Sequence, residues 1–328
     1  LKTHRFAGSD LVKAARLLRS GELVAFPTET VYGLGANAMD SAAVDKIFVA
    51  KGRPADNPLI VHLACAREVT KVARDVPTLA EELMQRFWPG PLTLVLPKQK
   101  DVPNQVTACL DTVAVRVPDH SVALELIRLA GVPIAAPSAN RSGRPSATTW
   151  QAVAEDLEDR IAGIVCGPPA SLGLESTVVD MTSTPPRVLR PGGLSIEEMH
   201  SFVPSIQPYS ALPEHGGESL VNSPGLKHRH YQPRAAVMVV DSASLTPSDF
   251  VFFSKFRRSH YIGLTPPANS QAFQTVLVCK NAEEYASRIF DFFRQADLLQ
   301  ADIVCCECVL EVGIGVALMD RLRRASHF

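Results

Sequence analysis

The chain has 328 residues, 46% of them hydrophobic, so it can bury a substantial core and is long enough for two domains of ordinary size. Charged residues make up 20% and the formal net charge is -1, which excludes the global electrostatic signature of a nucleic-acid or membrane binder and makes any anion site a local one. The 7 cysteines lie mostly in apolar runs without disulfide or paired CxxC spacing, and neither a signal-peptide core nor an uninterrupted run of about eighteen apolar residues occurs, so a soluble protein of a reducing cytoplasm, not a membrane protein, is expected.

Apolar periodicity predicts an amphipathic helix from Asp10 to Ser20, stopped by Gly21, and a strand from Leu23 to Phe26 ending at Pro27. A helix at Ser41 to Ala50, a strand at Leu59 to Leu63, helical stretches between Glu68 and Phe87, and strands at Leu92 to Leu96 and Val113 to Val117 follow. After a helix from Val122 to Leu129, short strands are expected at Ile134 to Ala136, Ile164 to Cys166, Thr177 to Met181 and Val188 to Leu189. So many strands per helix suggest an α/β domain built on a mixed, curved sheet, here residues 1–201. Between 202 and 234 periodicity disappears among Pro and Gly residues, which reads as a linker. Over 235–328, strands at Ala236 to Val240, Tyr261 to Leu264, Thr275 to Cys279 and Ile303 to Cys306 interleave with helices at Ala282 to Gln295 and Gly315 to Arg324. This is the pattern of a small Rossmann-like α/β domain.

Several groups of residues have the chemistry for a site. Pro27-Thr28-Glu29-Thr30-Val31-Tyr32-Gly33-Leu34-Gly35 concentrates hydroxyls and backbone amides where a strand runs out into a loop, although a hydroxyl-rich turn reads the same way. Lys51-Gly52-Arg53-Pro54 follows a helix and suits a polyphosphate or a carboxylate, or simply a solvated helix terminus; Asn57 and His62 lie just beyond. Arg116 interrupts an apolar strand and needs an anionic partner, either a ligand or a protein carboxylate. Pro137 to Ser146 gathers hydroxyls, Asn140 and two arginines, suited to an anion or to helix capping. Finally, Leu174 to Asp180 and Arg187 to Gly192 place Ser176 and Arg190 at strand ends. No GxSxG is present, which argues against a covalent serine mechanism.

Taken in order, PTETVYGLG, KGRPxxNPL, FWPGPLT, VAVRVP, PSANxSGxPS, LESTVVD and LRPG resemble the YrdC-like threonylcarbamoyl-AMP synthase family over roughly residues 8 to 200. Ser223 to Pro233 resembles the linker motif of the family's long form, and Ile314-Gly315 and Asp320-Arg321-Leu322 resemble the end of its C-terminal domain. The resemblance implies that threonine is held by Thr30, His62, Arg116, Ala136 and Ser176. ATP would be held by Lys51, Arg53, Asn57, Thr112, Ser138, Asn140, Ser146 and Arg190, with Tyr231 reaching in from the linker and Lys51 and Arg53 acting catalytically on phosphate charge. It also implies bicarbonate or carbon dioxide as co-substrate, magnesium carried on ATP, and a product passed to proteins that modify tRNA. A double-stranded RNA-binding module with weak RNA contact, and a carbamoyl-transfer maturation factor of the same fold, are the competing readings.

Overall fold

The computed structural model describes residues 2–209, 231–241, 253, 255–256 and 258–326. Strands β1 (His4–Phe6), β2 (Val24–Phe26), β3 (Gly33–Asn37), β4 (Ile60–His62), β5 (Leu92–Pro97), β6 (Thr112–Arg116), β7 (Ile134–Ala135), β8 (Gly163–Val165), β9 (Thr177–Asp180) and β10 (Arg187–Arg190) form one 10-stranded mixed sheet in the order β1-β8-β2-β3-β7-β4-β6-β5-β9-β10. Nine of these ten strands are buried at every residue or at all but one, because apolar cores lie on both faces of the sheet. Successive side chains therefore alternate between two cores: Val24 and Phe26 enter one, Ala25 the other. Leu11, Ala14 and Leu18 from the helix Leu11–Arg19 and Ala123, Leu126 and Ile127 from the helix Ser121–Ala130 complete the first. Helices Ser41–Lys51, Thr78–Phe87 and Trp150–Leu157 cover the second.

The cover is uneven, and that unevenness makes room for a site. Where β4, β6, β5, β9 and β10 run side by side, the face carrying Ile60 and Ala114 holds only a small apolar cluster with Val95, Val178 and Leu189. His62 and Arg116, two residues along from Ile60 and Ala114, share that face and line a cavity over it. Two differences from the sequence reading bear on this region. The segment Gly33–Asn37, expected as loop, is a strand paired antiparallel with β2, so Pro27 to Tyr32 is the tight connection of a hairpin. The beginning of the expected linker, residues 203–207, also packs: Val203 and Ile206 are buried in the second core and Gln207 bonds to Val188.

In the second unit β11 (Ala236–Val240), β12 (Ser259–Gly263), β13 (Thr275–Val278) and β14 (Ile303–Glu307) form a 4-stranded parallel sheet in the order β11-β14-β12-β13. The helix Ala282–Leu298, capped by the Asn281 side chain on Glu284 N, presents Tyr285, Ile289, Phe290 and Phe293 to this sheet's core. That core also contains Val31 and Leu174 from the first unit and Tyr231, so the two units share apolar packing. At the seam, a Cβ on Gly173 would lie 2.5 Å from Ser287 Cα, which together with its φ of +73° restricts the position to glycine. Most of the linker motif, Ser223 to His230, lies outside the described residues. None of the helices among the described residues is long and apolar enough to cross a membrane.

Buried arginines bolt the units together. Arg294, 3% exposed, donates from Nη2 to Pro145 O at 2.6 Å and to Asp156 Oδ2 at 2.8 Å. We expect Arg294→Met to lower unfolding stability by about 3 kcal/mol, because the Asp156 carboxylate would keep only Arg144 as an ionic partner inside the interface. Urea denaturation of the full chain measures this; a change below about 0.5 kcal/mol would mean that the pair contributes nothing.

Candidate active site

The hairpin turn after β2 is held by its own hydroxyls. Thr28 Oγ1 accepts from Thr30 N and Val31 N, both at 3.3 Å, and donates to Val31 O at 2.6 Å. This leaves Thr30 Oγ1 facing Arg116, whose Nη1 donates to it at 2.8 Å. The Arg116 guanidinium also approaches Glu29, Nη2 to Oε2, at 2.5 Å. That approach is an ionic contact without hydrogen-bond alignment, so both Glu29 carboxylate oxygens and the Nε and Nη2 of Arg116 are buried without a hydrogen-bond partner among the described residues. Such groups are costly unless a ligand satisfies them. Arg116 and His62 are register partners on the parallel strands β6 and β4. Burial, then the Arg116 charge, pushes the His62 imidazole down to about 3.

Opposite this group, Ser176 precedes β9. Its hydroxyl lies 2.8 Å from Thr93 Oγ1, and Arg190 Nη2 donates to its carbonyl at 2.9 Å and its hydroxyl at 3.2 Å. The strand and the turn after β10 approach so closely that a Cβ on Gly192 would lie 2.3 Å from the Ser176 carbonyl carbon, which holds that position to glycine. Arg53 follows the helix Ser41–Lys51, which starts on the Asp40 side-chain cap and ends at Gly52 in the left-handed region, φ +61°. Its guanidinium bonds to the carbonyls of Asn57 and Pro58.

Thr30, Arg53, His62, Arg116, Ala136, Ser138, Asn140, Ser146, Ser176, Arg190 and Tyr231 all line one cavity, although they are scattered over some two hundred positions of sequence. Lys51, Asn57 and Thr112 do not line it. Lys51 is buried, and its ammonium donates to the carbonyls of Ser138 and Asn140, so it braces the Pro137–Ser146 loop from behind. Burial first, and the neighbouring Arg53 charge second, lower its proton affinity well below that of an ordinary lysine. Asn57 is buried and offers its backbone carbonyl to Arg53, while Thr112 stands at the opposite end of β6 from Arg116. Thr28, Arg144 and Glu175 are polar wall residues that lie inside the sequence motifs but were given no site role there. Glu175 sits beside Ser176 inside the same motif, so an acidic residue next to a candidate serine was the available signal.

The cavity therefore brings two chemical sets together. One offers a guanidinium with unpaired donors, a threonine hydroxyl and a neutral imidazole; the other offers Arg53, Arg190 and a hydroxyl-rich loop. Among the described residues the one hydrogen bond between a lining hydroxyl and a lining carboxylate is Ser146 to Glu175, and no lining hydroxyl bonds to the His62 imidazole.

Comparison with known proteins matches both units. The family described as Telomere recombination (Sua5, YciO and YrdC) covers residues 16–192, and the one described as Threonylcarbamoyl-AMP synthase, C-terminal domain, covers residues 194–327. A threonylcarbamoyl-AMP synthase of Pyrococcus abyssi is 47% identical over 96% of this chain and 93% of its own length. That of Bacillus subtilis is 42% identical over 96% and 92%. A crystal structure of P. abyssi Sua5 complexed with L-threonine superposes with a TM-score of 0.92 at 44% identity, covering 99% of this chain and 98% of that one.

The His62 environment generates a pH prediction. An unfolded chain protonates this imidazole near its ordinary value of 6.5, whereas the folded chain resists until about 3. The unfolded state therefore binds more protons between those values, so this histidine's contribution is present above pH about 6.5 and is lost progressively as pH falls toward 3. Denaturation curves for the wild type and His62→Asn at pH 7.5, 6 and 5 should show a shallower fall in the variant. Equal slopes would show that His62 is not held neutral.

Proposed function

The chain belongs to the Sua5, YciO and YrdC family in its two-domain threonylcarbamoyl-AMP synthase form, and from that premise we propose that it condenses L-threonine, bicarbonate or carbon dioxide, and ATP into threonylcarbamoyl-AMP. The observation that supports this reading best is a single cavity lined both by Arg116, whose Nε and Nη2 have no hydrogen-bond partner among the described residues, and by Arg53 and Arg190.

In the proposed reaction the threonine amine adds to carbon dioxide and loses a proton, giving a carbamate. A carbamate oxygen then forms a bond to the α-phosphorus of ATP as the bond to the bridging oxygen breaks and pyrophosphate leaves. The substrate supplies the nucleophile, so the protein needs to position and to stabilise charge, without a catalytic dyad. Arg116 would hold the threonine carboxylate, with Thr30, His62, Ala136 and Ser176 around the rest of the amino acid. Neutral His62 can accept or donate a hydrogen bond there without adding charge.

Arg53 and Arg190 would offset phosphate charge, with Ser138, Asn140, Ser146 and Tyr231 along the nucleotide. Lys51 would act on the same end through the loop whose carbonyls it holds. Asn57 would serve through the carbonyl that orients Arg53, and Thr112 from the start of β6. Magnesium would arrive on the triphosphate as part of the substrate. Its chemistry there would be to neutralise phosphate charge. The mixed anhydride is a reactive acyl donor, and we assign it to cytoplasmic proteins that transfer the threonylcarbamoyl group to tRNA.

Pyrophosphate release should require threonine, bicarbonate and ATP together. Arg53→Ala and Arg190→Ala should each lower kcat/KM by more than about a hundredfold while the fold is retained, since a charged hydrogen bond contributes about 1.5 to 3 kcal/mol and more in a closed site. Serine, lacking one methyl, should be poorer by about ten- to a hundredfold in kcat/KM. Release that ignores threonine would overturn the reading.

A further inference from the structure

The helix Ile314–Ala325 belongs to the second unit, yet it sends a guanidinium into the wall of the cavity in the first. Arg321 is 1% exposed and is among the largest fully buried side chains of the described residues. Its Nε donates to Glu175 Oε2 at 2.8 Å, its Nη2 to Pro191 O at 3.0 Å and its Nη1 to Asp320 Oδ2 at 2.5 Å. The flat of the same group lies over the Tyr231 ring, 5.4 Å from the centroid. The other Glu175 oxygen accepts from Ser146 Oγ at 2.6 Å.

Three of the Arg321 contacts end at the cavity wall or directly beside it, while the one to Asp320 stays within the second unit. Glu175, Ser146 and Tyr231 line the cavity, and Pro191 directly follows Arg190, which does too. Two donors pointing in fixed directions hold Glu175 and Pro191 at once and a third holds Asp320, an arrangement that suits the rigid fork of a guanidinium. An ammonium would have to choose. Burial alone would raise the Glu175 carboxyl, but the Arg321 charge, with Arg190 and the Ser146 hydroxyl, holds it below the usual carboxylate range. Glu175 therefore stays ionised as the acceptor that fixes the Ser146 hydroxyl.

We propose that Arg321 is a positioning residue for the nucleotide end of the site: it fixes Ser146 through Glu175, the turn after Arg190 through Pro191, and Tyr231 by stacking. The second unit thereby completes a cavity that Arg321 itself does not line. Only the identity of the ligand at that end rests on the reaction assigned above.

The test uses the full chain as wild type, Arg321→Met and Arg321→Lys. Calorimetric binding of a non-hydrolysable ATP analogue and of threonine is measured alongside pyrophosphate release and thermal melting. Arg321→Met is expected to weaken the analogue by at least about tenfold, the size of one lost charged hydrogen bond, and threonine by less than about threefold. Arg321→Lys is expected to regain most of the melting temperature but not the nucleotide affinity, which a merely structural role would not separate. A folded variant that binds the analogue within about twofold of wild type overturns the inference. So does equal weakening of both ligands in step with a fall in melting temperature, since Arg321 would then only dock the units. Should Arg321→Met fail to fold, the same outcomes in Arg321→Lys decide. Wild-type turnover with unaltered variants defeats the inference alone; a wild-type chain that binds no nucleotide defeats the assigned reaction and the inference with it.

Discussion

A buried charge must be given a partner, and the cavity is organised by that requirement. Arg116, Arg190 and Lys51 are all nearly fully buried, where an unpaired charge would cost several kcal/mol. Each is accommodated by gripping a piece of backbone or side chain: Arg190 the Ser176 carbonyl, Lys51 the carbonyls of Ser138 and Asn140, Arg116 the Glu29 carboxylate and the Thr30 hydroxyl. The cations thus hold in place the loops that carry the hydroxyls. Positive charge fixed in advance within a partly dry cavity needs no reorganisation when negative charge develops on a ligand.

The architecture of the sheet decides where such a cavity can exist. Two faces of a ten-stranded sheet demand cover, and five helices supply most of it. Over the β4–β10 half, one face is left with a thin apolar cluster, and that is where His62, Arg116, Ser176 and Arg190 converge. Had that face been filled with aliphatic side chains, the arginines would have had no room and no reason to be there. The second unit closes the region from the side through a shared apolar core at Val31, Leu174 and Tyr231 and through the Arg294 and Arg321 contacts.

Interfaces between domains are often polar and permit relative movement. This one is unusual in burying two guanidiniums that each reach carboxylates of the other unit. Replacing such pairs with apolar side chains can be neutral or stabilising, so their value lies in the geometry they enforce. Arg294 reaches the residue before Ser146, and Arg321 reaches the residue before Ser176. Docking of the second unit and the shape of the nucleotide end are therefore set by the same bonds.

By itself the sequence determined the alternation of helices and strands, because burial on two faces leaves a readable apolar period, and it marked the ordered motifs in which most of the cavity residues lie. It misplaced Gly33–Asn37, whose two glycines read as a turn; tertiary pairing with β2 and β7 made it a strand, since small residues allow the close approach of Phe26 and Ile134 there. It left open whether Arg116 meets a ligand or a carboxylate, and the folded chain supplies Glu29 while leaving further donors unpaired. It grouped Lys51 with Arg53 by proximity, but a helix end sends adjacent residues in different directions, and only the fold shows Lys51 behind the loop and Arg53 in the cavity. The bond between Arg321 and Glu175 spans 146 positions and two units. No local pattern encodes it, because its reason is the mutual burial of two charges that only tertiary packing brings together.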